Sequence, residues 1–346
     1  MGIFSRLLHG KRDRDRSCGA PQADARQIDE AVERIAGTIP QLRLARQYQA
    51  RLAPVVRGTL DYAAKLVESL PAPRDAATGA WLSDPYLHAY FATPDDVCPA
   101  FGRSPDLRAW FDQHSECADV YAVLGMDMTE RRVLGAVHEG DTTRTDVRQT
   151  TVSFSDHRVR ICGRTDADLR EEIVRRIVDQ LALEALARIA EDKSRRDALE
   201  QERALLKARV QLMQRQGTGM HAVLACGAPV ELAEFARLQR QIEENERNLG
   251  ELGLQTEIIE RRFDIVHDVF ADPAAQAYVR VKRLRLDKMN VVVEEGGARP
   301  GEDLDFRVAR IPATPSETRA FAIVRFVRTD LPPAGRLFDD AHRLLV

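Results

Sequence analysis

The chain has 346 residues, 44% of them apolar and 30% charged, with a formal net charge of −3 and only 6% aromatic residues. That length accommodates two or three domains with a real core, and high charge with few aromatics favours long solvated helices over a compact enzyme. Near-neutrality excludes a global pull toward nucleic acid or anionic membrane, so any such binding has to come from a local patch.

Cys18, Cys98, Cys117, Cys162 and Cys226 are scattered, odd in number and free of any C-x-x-C. This argues against a disulfide framework and points to a reducing cytoplasm. No apolar run reaches the roughly 18 residues of a spanning helix. Arg greatly outnumbers Lys and Ala is abundant, a bias that suggests a high-GC bacterial source.

Residues 1–25 read as a basic tail. Ile3, Phe4, Leu7 and Leu8 share one helical face and Lys11, Arg12, Arg14 and Arg16 follow, a pattern that allows weak peripheral contact with the inner face of a membrane through residues 3–16. Residues 26–118 read as helical. Apolar positions from Ile28 through Val32, Ile35, Ile39 and Leu42 to Leu52, Val56, Ala63 and Leu70 alternate steps of three and four, broken at Pro40 and Pro54. Asp84-Pro85 and Ser104-Pro105 each predict an N-cap with proline at the first helical position. Trp81, Tyr86, Tyr90, Phe91, Phe101, Trp110 and Phe111 predict a small aromatic-rich core.

At Val120 the period changes to two. VYAVLGMDM, RRVLGAVHE and TDVRQTTVSF predict strands of a meander, with turns at Thr129-Glu130, at Gly140-Asp141 and at SDHR (155–158) before VRIC. A second strand block comprises YVRVKRLRL (278–286), MNVVVEE (289–295), LDFRVARI (304–311) and RAFAIVRFV (319–327). Val279 and Val281 have one parity and Leu284 and Leu286 the other, which predicts a bulge near Lys282-Arg283.

Between the two blocks lie a hundred helical residues. Phe235, Leu238, Ile242, Asn245, Leu249, Leu252, Thr256, Ile259, Phe263, Val266 and Phe270 form an unbroken coiled-coil seam, with Asn245 as a register-fixing polar member. The first arm, from about Asp168 to Gln216, is apolar over a wide arc at its base, thin in its middle at Ala198 and Leu199, and apolar again at Leu206, Val210 and Met213. Folded at the glycine-rich bend, Met213 meets Leu232, Leu206 meets Leu238 and Ile173 reaches Phe270. The same heptads also permit an intermolecular coiled coil.

The expected fold is therefore α+β. A helical N-terminal region precedes an antiparallel β domain in two halves (119–165 and 274–331), with a coiled-coil helical hairpin (166–273, tip 216–229) inserted between them and a short C-terminal helix at 332–346. The tip, GMHAVLAC, is too apolar for an ordinary wet bend. This marks Met220, His221, Val223 and Leu224 as candidates for contact with a protein partner or a second copy.

Chemistry is sparse. Phosphate-loop, zinc-protease, nucleophile-elbow and dinucleotide signatures are all absent, so the leading expectation is a non-catalytic interaction or scaffold protein with no cofactor and no metal. Cys98, His114 and Cys117 lack a fourth ligand and read as core thiols beside a surface imidazole. Two alternatives stand beside this. Arg280, Lys282, Arg283 and Arg285 form a basic strand able to lie along nucleic acid or another polyanion. His138, Glu139, Asp156 and His157, at expected strand ends, are the candidates for an acid–base cluster of an unfamiliar enzyme, sited between helical region and β domain.

Overall fold

The computed structural model describes residues 24–139, 142–220, 228–252, 257–293, 300–311 and 317–333. The expected C-terminal helix and almost all of the basic tail, including residues 3–16, lie outside them.

Helix α1 (Ala25–Thr38) opens on a capping box between Asp24 and Gln27 and buries Ile28, Val32 and Ile35. The chain leaves helix before Pro40, which starts a 3-10 turn (Pro40–Leu44). Pro54, by contrast, is carried inside α2 (Tyr48–Glu68), so the break expected there does not occur. The short helices α3 (Pro85–Tyr90), α4 (Val97–Gly102) and α5 (Pro105–Gln113) follow. Both predicted caps are present: Asp84 accepts from the Tyr86 backbone N–H at 2.9 Å, and Ser104 Oγ accepts from Leu107 N–H at 3.2 Å.

The sheet comprises β1 (Arg74–Asp75), β2 (Asp119–Glu139), β3 (Thr142–Gly163), β4 (Tyr278–Leu286), β5 (Glu302–Ile311) and β6 (Glu317–Val327). Its order is β3-β2-β6-β5-β4, antiparallel throughout except that β1 pairs parallel with β6. The segment 290–293 bonds to both outer strands. Val152 N–H donates to Asn290 O and Val292 N–H to Thr150 O on the β3 side, while Val293 N–H donates to Arg285 O on the β4 side. The sheet thereby closes on itself, a device that removes strand edges.

Three features of the β regions correct the sequence reading. The meander is instead a single long hairpin: Thr129 and Glu130 pair in ladder with Ser153 and Val152, so no turn occurs there. SDHR is not a turn either. It is one of three bulges that set two residues of β3 against one of β2, and each bulge contains a residue with positive φ, namely Asp146, Asp156 or Ile161. Each bulge shifts the parity of β3, which allows Val152, Phe154 and Val159 to face one core although their numbering does not alternate. A bulge was expected in β4 but is absent, since its ladder with β5 runs in unbroken register from Tyr278 to Leu286. No bulge is needed, because both faces of the sheet are covered. Val279 packs in one apolar cluster and Leu284 and Leu286 in the other, while Val281 is 53% exposed. Finally, MNVVVEE contributes only isolated bridges at Val291 and Val292 among its described residues.

On one face Leu124, Met126, Phe306 and Phe326 pack against Tyr90, Phe91, Phe101 and Phe111 of the α3–α5 region. On the other, Tyr121, Val123, Phe321 and Ile323 meet the end of α2 and the base of α6 (Asp166–Met220). That base passes on into a helical core with α1, α2 and α8 (Ile258–Ala271), containing Ile35, Leu52, Leu181, Ile189, Phe263 and Phe270. Gly163 fixes where α6 departs: a Cβ there would lie 2.6 Å from the Leu169 backbone nitrogen, so the close approach of β3 to the helix requires glycine. Arg170 holds the same junction by donating to the carbonyls of Val67, Leu70 and Pro71 at the end of α2.

Candidate interaction surface

Helix α6 is 55 residues long, about 80 Å at 1.5 Å per residue. Its members of the helical core end at Ile189. Beyond that point it lies against α7 (Ala228–Glu251), and polar groups set their antiparallel register. Lys207 pairs with Glu246 at 2.8 Å and Arg209 with Glu234 at 2.7 Å. Near the root Arg261 holds Asp192 through two guanidinium nitrogens. This is the expected pairing, in which Leu206 and Leu238 lie at the same level.

The predicted seam of the second arm is buried at Leu238, Asn245, Leu249, Leu252, Phe263, Val266 and Phe270, half-buried at Phe235, Ile242 and Ile259, and Thr256 lies outside the described residues. The arm is nonetheless two helices and not one. It breaks after Glu251, beside Gly250 and Gly253, where two glycines remove roughly 1 kcal/mol each of helix propensity. At the break the Leu252 carbonyl accepts from Arg196, whose burial in the thin middle of α6 the sequence reading missed. Asn245 donates to Glu202 at 3.0 Å while its own Oδ1 is buried without a partner. Such a half-satisfied polar group costs stability and penalises other registers.

Of the candidate tip residues, Met220 closes α6, while His221, Val223 and Leu224 lie outside the described residues. The basic strand is less free than its sequence implies. Lys282 is ion-paired with Glu130, and Arg283 with Asp305 at 2.8 Å, which raises its pKa further. Arg285 has a buried Nε without a partner. Arg280 is exposed and lies over the Tyr278 ring at 4.7 Å, with Arg310 over the same ring at 5.8 Å.

The four residues considered for acid–base work do not converge. His138 pairs with Thr143 near the far end of the β2–β3 hairpin, about 35 Å along the strand from the Asp127 region that adjoins Asp156. Asp156 is held by Arg158 and Arg319, which depress its pKa. His157 is stacked on Phe91 and donates from Nε2 to the Tyr90 carbonyl, and burial lowers its pKa. Its role is to tie the sheet to α3. Cys98 lies by the Thr78 hydroxyl, and His114 stacks on Trp110. Among the described residues no group of three His, Cys, Asp or Glu is placed to hold a metal ion.

The fold and this surface together define an α+β protein in which a closed sheet, covered by helices on both faces, carries a long helical hairpin. No protein-family model matches the chain, and neither does any curated protein or solved structure. Among the described residues no helix is long and apolar enough to cross a membrane.

Proposed function

We propose that the chain is a non-catalytic interaction protein, and that its helical hairpin acts as a coiled-coil arm which holds the GMHAVLAC tip away from the body for a protein partner. One observation carries this reading: above Ile189 α6 belongs to none of the buried apolar clusters, yet it continues for some thirty residues, about 45 Å, past the Asp192–Arg261 pair with α8 and then along α7. A segment that length adds little to the stability of the body, so contact elsewhere accounts for it best. Scattered free thiols at Cys98, Cys117 and Cys162 fit a reducing, cytoplasmic setting.

Affinity capture with the wild type, compared with a chain carrying Ser at positions 220, 223 and 224, tests the tip. The substituted chain is expected to lose the partners while retaining its helix content. Recovery of the same set by both would rule out the tip as the contact.

A second reading, polyanion binding, is favoured by the two guanidinium groups over Tyr278. It predicts salt-dependent retention on heparin that drops on Arg280→Glu with Arg310→Glu. Retention unchanged by that pair would remove the strand from consideration.

A further inference from the structure

The seam of α6 that meets α7 does not exhaust its apolar spacing. Leu199, Leu206, Val210 and Met213 on that side are half-buried. A second stripe runs along the opposite side from Leu183 to Leu212, again in steps of three and four, and every residue on it is exposed. Leu205 is 71% and Leu212 58% exposed, although the helix around them is densely charged. An uncovered heptad stripe about 45 Å long is the seam of a further coiled-coil contact.

The order of residues on the stripe identifies what covers it. Turned end for end about Asp197-Ala198, the stripe matches itself. Leu183 meets Leu212 of the other copy, Ala187 meets Ala208, Ala190 meets Leu205, and Ser194 meets Gln201. No stripe residue is left opposite a charged flank. An antiparallel two-fold contact sets each flank against its own counterpart, and the flanks agree next to the two-fold. On one side Lys193 then faces Glu200, and on the other Arg195 faces Glu202, whose carboxylate also accepts from Asn245. Further out Arg188 faces Arg209, each neutralised within its own copy by Glu184 and Glu234. The alanines in the middle allow the two helices to approach closely. The only charge within the stripe, Asp197, falls at the two-fold with Lys193 one turn away.

We propose that this face of α6 is a homodimer interface in which two copies pair antiparallel through their arms, leaving α7 on the outer side of each. The proposal rests on the reading of the arm as an interaction device and names its occupant, a second copy of this chain.

Sedimentation equilibrium of the full chain across the micromolar range is expected to give twice the chain mass. Leu205→Glu with Leu212→Glu should weaken self-association by roughly ten-fold or more, and because both side chains are exposed the helix content by circular dichroism should not change. Cysteine pairing tests the register in a Cys18→Ser, Cys226→Ser background. Ala198→Cys should cross-link to itself, whereas Ala187→Cys should cross-link efficiently only when mixed with Ala208→Cys. A single-chain mass for the wild type, or an Ala187→Cys chain that links to itself and not to Ala208→Cys, overturns the proposal. A single-chain mass together with retained capture through the tip sinks the dimer and leaves the arm reading standing.

Discussion

Replacing Phe306 by alanine is expected to destabilise the protein by about 3–5 kcal/mol, a large share of what a domain normally has. Phe306 is fully buried, and it joins elements distant in sequence. Its ring lies 5.9 Å from Tyr86 and 6.0 Å from Tyr90 of α3, and 5.1 Å from Phe154 of β3, while its own backbone belongs to β5. Tyr86 cannot easily close the gap, because its hydroxyl also accepts the Asp305 N–H and its ring stacks under Arg74. Loss of the phenyl group therefore leaves a cavity at the junction of the α3–α5 region and the closed sheet. Urea unfolding followed by circular dichroism should show a lower midpoint with an unchanged slope. A loss below about 1 kcal/mol would mean that the helices and the sheet do not share this core.

Local signals in the sequence translated most directly into structure. Asp84-Pro85 and Ser104-Pro105 are caps because a short side-chain acceptor followed by a residue without an N–H has few other uses. The seam from Leu238 to Phe270 was legible because thirty residues of regular spacing leave no competing period. What required three dimensions was anything that depends on two covered faces. Parity along β4 implied a bulge only on the assumption of one core, and the structure supplies two, with Val279 in one and Leu284 in the other. The reverse happened in β3. There the bulges at Asp146, Asp156 and Ile161 are real, and Asp-rich composition made one of them resemble a turn. Closure of the sheet by 290–293 rests on backbone bonds that no side-chain pattern records.

The candidate site was legible in outline and not in its charges. The basic strand reads as an open row of cations, yet Glu130, far away in sequence, and Asp305, directly opposite on the next strand, pair with two of its members. Arg196 reads as one more solvated arginine, but it is buried against the Leu252 carbonyl. The outer stripe from Leu183 to Leu212 was present in the sequence throughout. Alanine, serine and glutamine at seam positions carry little weight in a sequence, and only their shared exposure in the structure marks them as one stripe.

The second large effect is expected from removing the arm. Beyond the root α6 and α7 hold each other through a narrow apolar seam, exposed ion pairs and one half-satisfied asparagine, contacts within the arm that leave the cores of the body untouched. The helical core needs α6 only up to Ile189 and the second arm only from Ile259 and Phe263 onward. Replacing residues 198–249 by a short Gly-Ser linker keeps both, together with the Asp192–Arg261 pair at the root. The measurement is a thermal melt of this variant alongside its partner capture. The expected result is a melting temperature within a few degrees of wild type with complete loss of capture. Collapse of the fold would show that the arm is part of the core, and undiminished capture would show that the protein meets its partners elsewhere.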